Sequence, residues 1–269
     1  MRTRLRLIIA LGLLVGCRAT TPQTITIVAK DFGFEAPAVA PAGLVTIRLV
    51  NQGPSLHHVQ LMRLADGKTT ADLAEAFKKP GPLPAWVTAA GGPNAGVPGG
   101  GPTEMTMTLA PGTYAVVCVI PGSDKIPHFA KGMIAPLTVT ATTTAAPSAA
   151  PPSDIAISLT DYAFAPSVPI AAGSHTIHFE NKGTQDHEAF LVRLAPGKKA
   201  SDLIAWIDTQ TGPPPGEPLG GITAIPAGGQ AYVSRDFSPG NYAFLCFVPD
   251  VKDGKMHVTH GMINEFTVS

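Results

Sequence analysis

Two stretches decide how this chain is read: Pro111-Gly-Thr-Tyr-Ala-Val-Val-Cys118 and Pro239-Gly-Asn-Tyr-Ala-Phe-Leu-Cys246, which share Pro, Gly, Tyr, Ala and Cys at the same places. Working upstream, Asn51-Gln-Gly-Pro-Ser-Leu-His57 is answered without a gap by Asn181-Lys-Gly-Thr-Gln-Asp-His187. Further back, Ile25–Phe34 is answered by Ile155–Phe164. Downstream, Pro127-His128-Phe-Ala-Lys-Gly-Met133 pairs with Met256-His257-Val-Thr-His-Gly-Met262. The same order of elements occurring twice predicts two domains of one fold, over 24–140 and 154–269. Between them, 141–153 holds only Ala, Thr, Pro and Ser, a composition with nothing to bury that reads as an extended tether.

Within each copy, Val45–Val50 and His175–Glu180 alternate apolar and polar side chains, the period of a half-buried strand. Thr106–Leu109 and Tyr114–Cys118 form a predicted hairpin around Pro111-Gly112. One helical patch stands out per copy, Ala71–Lys79 and Asp202–Ile207, the second with Ser201 as N-cap. The expected fold is all-β: two tandem Greek-key β-sandwiches, each with a short helical insertion. Trp86 and Trp206 read as lids over the cores.

In 269 residues there are 28 Gly and 27 Pro, and charged residues make up only 14%, against about 25% in typical soluble proteins. The 19 basic and 19 acidic side chains cancel. No Lys/Arg stripe exists to neutralise a phosphate backbone, so nucleic acid is not an expected partner.

The N-terminus reads as an address. Arg2, Arg4 and Arg6 precede an apolar run from Leu7 to Val15 that is too short to span a bilayer, the layout of an export signal. Residues 1–17 end in Leu14-Val15-Gly16-Cys17, which resembles the lipobox of bacterial lipoproteins, with Cys17 as the lipid-modified residue. The expected location is periplasmic or at the outer cell surface, tethered to the membrane. Cys118 and Cys246 then remain, at equivalent positions of separate domains. A disulfide between them would require the two equivalent faces to meet.

Each copy carries a His just after an Asn-x-Gly turn and then, near its end, a Cys, a His and a Met. Domain one offers His57, Cys118, His128 and Met133, and domain two offers His187, Cys246, His257 and Met262. A thiolate, two imidazoles and a weak thioether form the ligand set of a mononuclear type 1 copper site. In this order of residues each repeat resembles the cupredoxins, the family of plastocyanin and azurin. The resemblance implies that the first His comes from a strand in the body of the sandwich and the other three ligands from the loop joining the last two strands. One departure stands out: nine residues separate Cys118 from His128 and ten separate Cys246 from His257, where family members place only a few. The expectation is that this segment folds away as a turn and returns its His to the site.

Other histidines are assigned lesser places. His58, whose counterpart is Glu188, reads as a solvated neighbour of the ligand, and His175 and His178 as rim residues. His260, answered by Lys131, sits inside the ligand loop as a rim or supporting residue. The rival reading is a two-domain copper oxidase or nitrite reductase. Such enzymes draw on His-x-His pairs and on a His directly beside the Cys; Val117 and Val119 flank Cys118, Leu245 and Phe247 flank Cys246, and no His-x-His occurs. The sequence expectation is therefore a non-enzyme: a membrane-anchored electron-transfer protein with one copper per domain and a redox partner protein. The competing readings are a copper-storage lipoprotein without redox turnover and a metal-free scaffold.

Overall fold

The computed structural model describes residues 21–79, 81–141 and 148–269. The export signal with Cys17, and residues 142–147 of the tether, lie outside the described residues.

The first half runs β1 (Gln23–Lys30), β2 (Gly33–Glu35), β3 (Val39–Pro41), β4 (Gly43–Asn51), β5 (Gln60–Leu64), α1 (Thr70–Ala76), β6 (Val87–Gly91), β7 (Thr103–Leu109), β8 (Gly112–Val117) and β9 (Ile134–Thr140). The second repeats the plan with β10 (Ile155–Thr160), β11 (Ala163–Pro166), β12 (Gly173–Asn181), β13 (His187–Leu194), α2 (Ala200–Thr209), β14 (Gly216–Ile225), β15 (Gln230–Phe237), β16 (Gly240–Leu245) and β17 (Ile263–Val268). In each half two sheets face one another. β2-β1-β4-β7 packs on β3-β9-β8-β5-β6, and β11-β10-β12-β15 packs on β17-β16-β13-β14.

Period-two patterning builds the layers. In β1, Ile25, Ile27 and Ala29 are buried while Thr24, Thr26 and Lys30 are exposed, so one face of the strand enters the core and the other stays wet. Tyr114 and Tyr242 are each 2% exposed or less, and their hydroxyls donate to Ala110 O at 2.8 Å and to Ser238 O at 2.7 Å. The repeated Pro-Gly-x-Tyr turn thus anchors the strand that leads to each cysteine. Helix α1 begins at Thr69, which forms a capping box with Asp72. In α2 the cap is Lys199, whose N–H donates to Asp202 Oδ2 at 2.8 Å. Ser201, the expected cap, lies inside the first turn because the chain enters the helix two residues earlier. The tryptophans pack as partly buried residues against small clusters under the helices.

The halves meet through equivalent edges. β7 and β15 touch at Thr106 and Tyr232, joining one sheet of each half into an eight-stranded sheet. Beside them Asn94 N–H donates to Gly221 O at 3.1 Å, and Thr223 N–H donates to Gly92 O at 2.9 Å. Gly92 and Gly221 have φ of +150° and +103°, and a methyl at either would fall 2.0 Å from Val59 O or 1.9 Å from Ala189 O, so only glycine fits there. The equivalent faces do meet, yet Cys118 and Cys246 remain free thiols, each buried in its own half.

Candidate metal centres

Each Asn-x-Gly turn is built to place a histidine. Asn51 Nδ2 donates to Ser55 O and Gly96 O, both at 2.7 Å, and its Oδ1 accepts from Gly53 N–H at 2.9 Å. Asn181 bonds Gln185 O, Ile225 O and Gly183 N–H in the same way. The turn delivers His57 to the segment entering β5 and His187 to the start of β13. A side chain at Gly53 would press within 2.6 Å of Asp31 Oδ1 and 3.0 Å of His57 Nε2, which accounts for the glycine.

The long segment after each cysteine closes on itself. Pro121 bridges Pro127 and Pro249 bridges Met256, while His128 N–H returns to Ile120 O and His257 N–H to Val248 O, both at 2.9 Å. The extra residues are therefore consumed in a small closed turn, and the histidine re-enters at the base. A single 3-10 turn follows, His128–Lys131 or His257–His260, and ends at a left-handed glycine, Gly132 or Gly261. That turn sets the spacing from His to Met: Met133 N–H bonds His128 O, and Cys118 N–H bonds Met133 O.

These elements bring three donors together twice. In the first half His57 Nδ1 and His128 Nδ1 lie 3.1 Å apart, with Cys118 Sγ at 3.9 and 3.6 Å from them. In the second, His187 Nδ1 and His257 Nδ1 are again 3.1 Å apart, with Cys246 Sγ at 4.0 and 3.3 Å. All six residues are 1% exposed or less, as are Met133 and Met262. A triangle of this size is what a first-row metal fills at roughly 2.0–2.3 Å from nitrogen and sulfur, the distances known for zinc. Soft sulfur with imidazole suits copper above the hard cations.

Burial disfavours the protonated form of three of these imidazoles, His57, His128 and His257. Burial pushes His128 and His257 down to about 4 and lowers His57 as well, against the pull of Asp31. The Cys118 thiol is pushed up to about 12 by burial, and Cys246 is raised for the same reason. Without a metal the sulfurs are protonated, so binding must displace a proton from each. The outer nitrogens differ in their surroundings. His57 Nε2 and His187 Nε2 lie 2.6 Å from Asp31 Oδ1 and Asp161 Oδ1. His128 Nε2 and His257 Nε2 are buried without a hydrogen-bond partner, with Asp250 Oδ2 at 3.9 Å from the latter.

The two aspartates were not singled out from the sequence, although Asp31 and Asp161 fall at the same place in the repeated Ile25–Phe34 and Ile155–Phe164 stretches; that coincidence was the available signal. His260 stands outside the triangle, its Nε2 3.2 Å from Asp253 Oδ1 and its ring 4.9 Å from that of Tyr162. His175 and His178 sit on the open sheet, one against Asp154 and the other stacked on Tyr232. His58 corrects the reading of a solvated neighbour: it is 4% exposed, as Glu188 is 8% exposed, because the contact between the halves covers both.

Neither a family model nor a curated protein matches the chain. Among solved structures, auracyanin A, a "blue" copper protein from Chloroflexus aurantiacus, is 26% identical over 44% of this chain and 99% of its own, with a TM-score of 0.32. The blue copper oxidase from Nitrosomonas europaea is 13% identical over 92% and 86% of the two chains, with a TM-score of 0.27. The copper nitrite reductase from the same organism is 14% identical over 93% and 94%, with a TM-score of 0.26. This finding overturns the expectation of a non-enzyme, since the solved structures alike over both halves include an oxidase and a nitrite reductase. The lack of a His-x-His pair excluded one layout of a second copper centre; it did not exclude catalysis. Both halves of the chain have a cupredoxin-like fold.

Proposed function

We propose that the chain is an exported copper-binding electron-transfer protein with one mononuclear type 1-like centre in each domain. His57, Cys118 and His128 would hold one ion and His187, Cys246 and His257 the other, with the Met133 and Met262 thioethers as a further, weaker donor to each. The observation that carries this reading is the twofold recurrence of a fully buried triangle of two Nδ1 atoms and one thiol. Copper supplies a one-electron couple when bound. The chain's own part is to exclude water, to present Nδ1 of both imidazoles beside the thiol and to hold the donors by turns that need not rearrange between oxidation states.

We further propose that Cys17 carries the lipid anchor, which keeps both domains at the membrane face outside the cytoplasm, where a redox partner protein docks. Two measurements test these readings. Metal analysis of the mature soluble part after copper loading and dialysis should give close to two ions per chain, and retention of none overturns the copper assignment. Cys17→Ala should shift the full chain out of the membrane fraction, and unchanged fractionation overturns the anchor.

A further inference from the structure

Between the two triangles runs a line of buried polar side chains that copper ligation leaves unexplained. It begins beside Cys118, where Val119 N–H donates to His58 Nε2 at 3.0 Å. His58 is joined covalently to His57, whose backbone exchanges hydrogen bonds with Gly96, N–H to Gly96 O at 3.1 Å and O from Gly96 N–H at 2.7 Å, and Gly96 lies two residues along the chain from Asn94. Asn94 Nδ2 in turn donates across the domain contact to Glu188 Oε2 at 3.3 Å, and Glu188 Oε1 accepts from Phe247 N–H at 2.8 Å. Phe247 is bonded covalently to Cys246. Every link is therefore a peptide unit, a side chain or a hydrogen bond, and His58, Asn94 and Glu188 are 4%, 2% and 8% exposed.

Three buried polar groups in a row cost desolvation unless all are satisfied. Holding the domains together does not by itself require them, since Thr223, which occupies the position equivalent to Asn94, docks through its hydroxyl to Val59 O and Gly92 O alone. Only the Asn94 side reaches both cysteine strands.

We propose that His58, Asn94 and Glu188 form the electron route between the two centres, coupling Cys118 to Cys246 through bonds across the domain contact. This rests on the copper reading above. The step balances simply: the one-electron-reduced centre of one domain is oxidised, the oxidised centre of the other is reduced, no bond is made or broken and no proton changes place. A bonded route matters because electronic coupling falls off far more steeply across an unbonded gap than along bonds.

The test uses the copper-loaded two-domain protein in a Met262→Gln background, where replacing the weak thioether donor separates the two visible bands. A brief photochemical pulse delivers less than one electron per chain. The expected result is a first-order phase, independent of protein concentration, in which one band bleaches while the other recovers. Asn94→Leu should slow that phase by roughly an order of magnitude while leaving copper content, both bands and both reduction potentials in place; Asn94→Ala serves if the larger side chain prevents folding. Thr223→Val, which weakens the same contact without touching the route, should leave the rate unchanged. In the copper-free protein Asn94→Leu should also speed hydrogen exchange at the Val119 and Phe247 amides. A phase that depends on protein concentration, or one unaffected by Asn94→Leu, or one slowed equally by Thr223→Val, overturns the route while leaving the copper assignment standing. Absence of both bands before the pulse overturns the copper assignment instead.

Discussion

His57 and Asp31 are joined at 2.6 Å between Nε2 and Oδ1 on the side of the imidazole away from the donor triangle, and His187 and Asp161 repeat the contact at the same distance. Each carboxylate is held below its usual range: burial pushes it up, but bonds from the histidine and from Ser55 or Thr184 outweigh that. The aspartate therefore fixes the proton on Nε2 and turns Nδ1 toward the metal position. Loss of such a support typically costs about 10–100-fold in metal affinity. Asp161→Ala, made in a Cys118→Ser background so that domain two is read alone, should weaken copper binding by about that factor in a chelator competition.

The copper-free protein should be most stable in a middle window of pH. Burial pushes His128 and His257 down to about 4 and His58 down to about 3, from the ordinary imidazole value of 6.5. Below 6.5 the unfolded chain binds protons that the folded one does not, so stability falls as pH drops from 6.5 toward 4. Glu188, pushed up to about 7 by burial, and Asp186, also raised, work in the opposite direction, but are outnumbered. At the other end burial pushes the folded Cys118 thiol up to about 12 from an ordinary value of 9.0, so stability is lost as pH rises above 9.0. Denaturant titrations of the copper-free protein across this range should give a maximum between these limits, and copper should steady the acid side by occupying the imidazoles.

The tyrosine corners are a test of the fold alone. Tyr242 is 1% exposed and donates to Ser238 O. Tyr242→Phe removes the hydroxyl that donates to Ser238 O, a loss of about 1 kcal/mol. The unfolding midpoint in denaturant should fall accordingly while the copper stoichiometry stays the same.

The two centres should differ in potential. In domain two Asp250, kept well below the carboxylate range by bonds from Tyr162 and Gln185, lies 3.9 Å from His257 Nε2. In domain one the residue beside His128 is the Lys131 ammonium, paired with Asp124 at 2.8 Å. Uncompensated negative charge favours the more positive oxidised state, so domain two should have the lower potential. Asp250→Asn should raise it. Spectroelectrochemistry in single-centre Cys→Ser backgrounds measures both, and equal potentials would contradict the argument.

The repeat made the strands, the Pro-Gly-x-Tyr corners and the eight candidate ligands legible, because scarce residue types recurred in the same order while the surrounding loops diverged. What stayed hidden depends on surfaces meeting in space. His58 and Glu188 differ between copies and read as solvent-facing, since nothing local to either strand announces that the neighbouring domain covers it. Asn94 lies in a Gly- and Pro-rich stretch whose Gly91-Gly92 is matched by Gly220-Gly221, a correspondence that becomes meaningful only once Val59 O and Ala189 O are seen pressing against those glycines. Asp31 and Asp161 lay inside matched stretches, but an Asp at a strand end ordinarily faces water.

The most direct test of the account is a copper titration of the copper-free soluble part followed by visible absorption. An intense thiolate-to-copper band should grow until close to two ions per chain are bound, fall by about half in Cys118→Ser and again by about half in Cys246→Ser, and vanish in the double variant. A band that persists in the double variant, or copper uptake with no band at any stage, would contradict the assignment of these two buried thiols as the ligands of two electron-transfer centres.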